Sequence, residues 1–333
     1  MSRGRWDWSA WAAAIFLAVL HLAALGAEWI APHDPTVQSR SLVFSPPTPP
    51  RLVDASGWHW RPFIHPQAED PERYGEYVED RTVRYPLRFG VERADPWTGE
   101  PRRYLIGVEE PGFFAPLGTD RYGRDLLSRW LHGARYSLLI GLLASTLTVG
   151  LGLILGAIAG FYGGLADHGI MRLVDLLLAL PWLYLLLAGR ALLPLDLDAR
   201  QVVWLLIGVL TFLGWAVPAR LVRGVTLTVT SGDALLAARG FGASDAYLLR
   251  HHVLPQVWPV ARTQWILRIP RFVLAEVTLS FFGIGISEPV PSWGTLLAEL
   301  QNFSVVTEYW WMSFPAVVLI LVVLSYHRLA NVL

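Results

Sequence analysis

Neither cysteine nor lysine occurs anywhere in this sequence of 333 residues. Without cysteine there are no disulfides, thiolate metal sites or cysteine nucleophiles, and the redox compartment is left open. Without lysine there is no phosphate-binding loop of the G-x-x-x-x-G-K-[ST] kind, so ATP hydrolysis of that type cannot reside in this chain. Charge is scarce. Only 16% of residues are charged, and 27 basic residues, all arginine, balance 27 acidic ones. No basic stripe stands out, which argues against a nucleic-acid surface. H-E-x-x-H does not occur, and the apolar segments offer no serine-based nucleophile pair. His251 and His252 are adjacent and point to different faces of a helix, which makes them a poor metal pair. No catalytic, cofactor or metal residue is therefore assigned.

What the chain has in quantity is apolar sequence: 53% hydrophobic residues and a mean hydropathy of +0.40. That composition predicts an integral membrane protein, and its long apolar runs an all-α one. A helix needs about 20 apolar residues to cross a bilayer, and six stretches approach that length: roughly 8–30, 136–162, 170–193, 202–222, 258–286 and 309–329. Pro32-His33-Asp34-Pro35 ends the first. Its apolar run exceeds a signal-peptide core, so it reads as retained despite the small residues at Ala24-Leu25-Gly26.

Between Pro35 and Leu117 the chain turns polar, with Glu69, Asp70, Glu72, Glu79 and Asp80 interleaved with Trp58, Trp60 and Tyr74. Alternation from Tyr77 to Phe89 predicts some strand, in an insert that adds nothing to the helical bundle. Leu117 to Arg135 reads as an amphipathic segment near the interface. Gly152, Gly156 and Gly160 form a small-xxx-small stripe, a face for close helix packing. Arginines cluster around one loop, at 220, 223, 239, 250 and 262, and Arg3 and Arg5 precede the first span. Four crossings separate the two clusters, so the positive-inside rule places both in the cytoplasm and the insert outside.

That arginine-rich loop reads as a helix-turn-helix. Ala234 to Arg239 are good helix formers, Gly240 and Gly242 permit positive φ, Ser244 is placed to cap a second helix, and Pro255 is expected to stop it. Its spacing resembles the cytoplasmic E-A-A-x-x-x-G…I-x-L-P loop of binding-protein-dependent ABC importer permeases, with Ala237, Ala238, Gly242, Leu254 and Pro255 on the pattern and Ala243 and Ser244 within the coupling loop it implies. Three further blocks resemble the dipeptide, oligopeptide and nickel permease family: LGTDRYGRDL (117–126), DHGIMRLVDLLLALP (167–181) and EVTLSFFGIGISEPVPSWG (276–294). The first contains Gly118, Asp120, Gly123, Arg124 and Asp125.

The resemblance implies six transmembrane helices of the type I ABC importer permease kind, with an extracytoplasmic insert after the first. Residues 1–31 would hold the N-terminal segment and first span, 32–117 the insert, and 118–333 a permease core with a cytoplasmic coupling loop at about 224–258. It also implies a non-catalytic subunit in the cell inner membrane. Its partners would be a second homologous permease, two ABC ATPase subunits, an extracytoplasmic solute-binding protein and membrane lipid. Two departures stand out: Leu236 occupies the usual glutamate position, and little charged sequence follows the last span. A stand-alone secondary transporter is the alternative class, but the internal repeat it would be expected to show is not evident.

Carboxylates inside spans are functional suspects. For Asp175, an ion pair with Arg172 one turn away competes with a gating role. For Glu276, deep in the fifth expected span, structural pairing likewise competes with a role in the pore or gate. Trp293, at the centre of an outward Pro289–Gly294 loop, reads either as an interfacial anchor or as part of the gate. For Asp120, Arg121, Arg124 and Asp125, contacts at the pore mouth compete with mutual surface ion pairs.

Overall fold

The computed structural model describes residues 7–73, 75–191 and 197–332. Arg3, Arg5, Tyr74 and the 192–193 end of the third expected span lie outside the described residues. The chain opens with α1 (Trp8–Leu25) and the short α2 (Ala27–Ile30). Seven strands follow: β1 (Arg51–Asp54), β2 (Gly57–Ile64), β3 (Gln67–Glu69), β4 (Tyr77–Glu79), β5 (Tyr85–Pro86), β6 (Arg88–Ala94) and β7 (Pro101–Gly107). The rest is helical: α3 (Leu126–Tyr162), α4 (Gly164–Ala179), α5 (Trp182–Ala191), α6 (Ala199–Gly214), α7 (Ala216–Thr230), α8 (Asp233–Gly240), α9 (Asp245–Leu248), α10 (Leu254–Phe281), α11 (Trp293–Ala298), α12 (Phe303–Glu308) and α13 (Phe314–Val332). By contacts the chain forms two compact units, one of residues up to 14, 138–276 and 322 onward, the other of residues 15–137 and 277–321.

Among the described residues, three helical stretches are long and apolar enough to cross a membrane: Trp8–Leu25, Leu126–Tyr162 and Trp310–Val332. The pair α6 and α7, bent by 40°, makes a fourth if taken as one span. The expected spans at 170–193 and 258–286 are not among them. The first of these is broken at Leu180-Pro181, where Leu180 is extended because a residue before proline is pushed out of the helical region. The second, α10, carries Arg262, Arg268, Arg271 and Glu276. The helix of the second expected span starts not at Tyr136 but at Leu126, where Asp125 supplies the cap by accepting from the Ser128 amide at 2.8 Å. Its first turns, expected at the interface, are buried at Leu126, Arg129, Trp130, Leu131 and Ala134.

In the unit of residues 138–276, the glycine stripe of α3 packs on α7. A Cβ at Gly156 would lie 2.4 Å from the Ala219 carbonyl oxygen, and those at Gly152 and Gly160 within 2.6 and 2.7 Å of Pro218 and Thr226. Only glycine lets the two backbones approach this closely.

The insert, within the other unit, is three small antiparallel sheets: β1-β2-β5, β3-β4 and the β6-β7 hairpin. Ile64, Val108 and Phe114 form its core, with Tyr85, Leu87 and Ile106 against them. Its first residues are woven into the segment before α3: the Thr119 amide donates to Ser45 O at 2.9 Å and the Thr48 amide to Ala115 O at 2.9 Å. The insert is therefore less separable than its composition suggests.

Candidate functional site

The helix-turn-helix at 233–253 is built from local signals. α8 ends in a turn in which the Gly242 amide donates to Arg239 O and the Ala243 amide to Ala238 O. Gly242 sits at φ +85°, the left-handed cap position that glycine occupies without steric cost. Gly240, expected to share the turn, is the last residue of α8. Ser244 then caps α9, accepting from the Tyr247 amide at 3.3 Å.

Pro255 does not stop the second helix. Residues Leu249–Val253 widen into a π-helical turn, and α10 continues from Leu254 to Phe281. The wider turn and the position in the first turn of α10 accommodate a residue with no N–H to donate.

This element is held from beneath and open above. Leu235, Leu248, Val253 and Val257 bury against Phe161 of α3 and Val222 of α7, with Ala238 and Ala243 alongside. On the outer side Leu236 is 52% exposed, Phe241 92% and Tyr247 49%. Ala237, Leu254 and Pro255 are also exposed. Arg239 spans the turn, 3.7 Å from Asp245 and over the Phe161 ring at 5.3 Å. The His251 ring lies in the π-helical turn and stacks on Tyr247 at 4.3 Å. The result is a packed knob with a partly apolar outer face.

The second candidate element lies in the other unit and corrects the surface ion-pair reading. Asp120, Arg124, Asp125 and Arg129 are buried. Asp120 accepts from the backbone amides of Tyr122 and Arg124 at 2.8 and 3.0 Å and from Arg124 Nε at 2.7 Å. Arg124 reaches Glu288 through both Nη atoms, at 2.7 and 3.1 Å, and Arg129 Nη2 reaches the same carboxylate at 2.8 Å. Arg129 Nε lies 3.2 Å from Asp120 Oδ2. Two carboxylates and two guanidiniums thus neutralise one another, with Asp120, Arg124 and Arg129 buried and Glu288 at the solvent edge.

The glycines of the block have steric causes. Gly118 and Gly123 have φ of +75° and +70°, and a Cβ on Gly123 would fall 1.9 Å from Ser39 O. Glu299 lies nearby, 4.0 Å from Arg121 Nε, and neither of its oxygens has a hydrogen-bond partner. Burial, reinforced by Asp120, pushes its pKa up to about 7.

Trp293 is fully buried and opens α11, so the interfacial-anchor reading fails. Its indole N–H donates to Trp130 O at 3.3 Å and its ring stacks on Trp130 at 6.0 Å. Asp175 pairs with Arg220 rather than Arg172, and Asp167 pairs with Arg223 at 2.6 Å. Glu276 is buried in α10. Glu288, Arg129 and Glu299 went unnoticed in the sequence. Glu288 stands within the 276–294 block, but its partners are far away in sequence. Among the described residues, no group of three or more His, Asp or Glu side chains could hold a metal.

Residues 152–333 match the model of the family described as binding-protein-dependent transport system inner membrane component. The chain is 34% identical over 216 residues to the dipeptide transport system permease protein of Bacillus subtilis, covering 65% of each. It is 34% identical to the oligopeptide transport system permease protein of Mycobacterium bovis, over 68% of this chain and 76% of that one. It is 30% identical to the di/tripeptide transport system permease protein of Pseudomonas aeruginosa, over 95% of this chain and 83% of the relative.

Proposed function

The chain belongs to the family of binding-protein-dependent transport system inner membrane components, and on that premise we propose that it forms half of the translocation pathway of an ABC importer for peptides. A second homologous permease supplies the other half, two ATPase subunits supply the energy, and an extracytoplasmic binding protein delivers the solute. The chain itself is a non-catalytic permease subunit. Peptides lead as substrate because the relatives above carry dipeptide, di/tripeptide and oligopeptide transport in their names.

The observation that carries the mechanism is the pinned knob at α8–α9. Its apolar underside is packed on α3 and α7, while Leu236, Phe241 and Tyr247 face outward. A partner that pushes on this knob moves the helices beneath it as a rigid body. Closure of the ATPases would thus be converted into a switch between inward- and outward-open pathways, with the coupling purely mechanical. Leu236, where the family pattern has glutamate, makes the contact apolar.

In this reading the protein is a multi-pass component of the cell inner membrane with six crossings: α1 with α2, α3, α4 with α5, α6 with α7, α10 and α13. The insert and the N-terminal end of α6 lie outside and the α8–α9 knob inside. Asp175, Glu276 and Trp293 are pore or gate residues, and the Gly118–Asp125 block orders the outer mouth.

The test is to purify the importer from cells carrying its neighbouring genes and to label single cysteines in the naturally cysteine-free chain. Two ATPase subunits should co-purify. An impermeant thiol reagent should modify cysteines placed at Ser56 and Asp198 in intact cells and spare one at Ser244. Labelling of Ser244 from outside contradicts the topology.

A further inference from the structure

α10 carries two arginines within a helix that the proposed function takes across the membrane. Arg268 lies at the middle of α10 and is 4% exposed. Arg271 follows one turn later, its guanidinium 5.0 Å over the ring of Trp182, which itself stacks on Phe272 at 6.1 Å. Gln264, Arg268 and Arg271 fall at i, i+4 and i+7, a single polar stripe along one side of the helix.

Neither guanidinium has a carboxylate within ion-pair distance among the described residues, and Arg268 Nε is buried with no hydrogen-bond partner. One turn along the same helix stands a second cation, Arg271. Elsewhere in the chain buried arginines are compensated: Arg124 and Arg129 share Asp120 and Glu288.

A buried cation in a membrane helix is costly, and such residues face a bundle interior or water-filled path and pair with something there. Two like charges one turn apart deepen that cost. Both fall if an anion visits the stripe. Resting on the reading of this chain as a peptide permease, we infer that Arg268 and Arg271 form a carboxylate-binding station in the translocation pathway, which takes the free C-terminal carboxylate of a short peptide. Planar guanidiniums suit a carboxylate, which they hold through paired N–H donors. The same stripe repels a bare metal cation, so it favours peptides over a free metal ion as cargo.

The test uses the complete importer in proteoliposomes, with trialanine and trialanine C-terminal amide as probes. In the importer without its binding protein, trialanine should slow phenylglyoxal modification of Arg268 and Arg271 about tenfold, as charge-assisted hydrogen bonds of ordinary strength require. The amide should not, the adducts being mapped by mass spectrometry. Arg268→Gln should cut trialanine uptake by a similar factor and Arg268→Lys by less, with the partner subunits still co-purifying. Equal protection by the amide, no protection, or full uptake by Arg268→Gln overturns the station. So does loss of the second permease from Arg268→Gln, which would mean that the arginine pairs with a partner carboxylate. Protection without any trialanine uptake by the unaltered importer leaves the station standing and overturns the peptide-import reading.

Discussion

Arg124 and Glu288, 164 residues apart in sequence, meet in a two-armed ion pair at 2.7 and 3.1 Å. Arg124 is 3% exposed on its side chain and also holds Asp120, which is fully buried. Removing the guanidinium strands a buried carboxylate, at a cost of about 3–5 kcal/mol. Arg124→Ala should therefore lower the melting temperature of the purified complex sharply. Arg124→Lys should fall between, because a single ammonium cannot reproduce the fork. Melting curves of the three proteins in detergent decide this, and an unchanged Arg124→Ala curve contradicts the network's importance.

Glu299 gives the protein a pH-dependent stability term. Its carboxyl keeps its proton to about pH 7 in the fold, against 4.5 for an ordinary glutamate side chain. A raised folded value means that this contribution is complete below 4.5, declines as pH rises, and is gone above 7; in size it is about 3 kcal/mol. Glu299→Gln should flatten that part of the stability curve and melt higher than the unaltered protein at pH 8. Parallel curves for the two between pH 5 and 8 would remove the assignment.

How far the sequence could be read follows from the range of each interaction. The Gly242 turn, the Ser244 cap and the glycine stripe depend on residues a few positions apart, and spacing exposed them. Asp175 shows the limit. Its nearest basic residue by helical spacing is Arg172, but its partner is Arg220, 45 residues on in another helix. The block around Asp120 looked like surface because charged residues usually are, and the Glu288 that buries it is far along the chain. Pro255 misled because a proline rule for helix interiors does not anticipate a π-turn just before it.

The α3–α7 contact predicts a contrast between two glycines of one helix. A Cβ at Gly156 meets the Ala219 carbonyl oxygen at 2.4 Å, whereas one at Gly150 meets nothing within 4 Å. Gly156→Ala should destabilise by about 1–3 kcal/mol, as overpacking does. Gly150→Ala should be neutral or mildly stabilising. The yield of monodisperse protein and its melting temperature report both, and equal behaviour would deny the close approach.

The central claim is that the α8–α9 knob transmits ATPase movement to the pathway, and Gly242 tests it with the least disturbance elsewhere. At φ +85° with nothing within 4 Å of a would-be Cβ, the position is demanding in conformation but not in space. Gly242→Val must then distort the turn, at about 1–3 kcal/mol of local strain, without disrupting the bundle. The measurement is peptide uptake together with binding-protein-stimulated ATP hydrolysis in the reconstituted importer. The account predicts normal expression and folding of Gly242→Val, with both activities falling together by at least about tenfold, the kinetic equivalent of 1.4 kcal/mol. Uptake and stimulated hydrolysis at unaltered rates would contradict it.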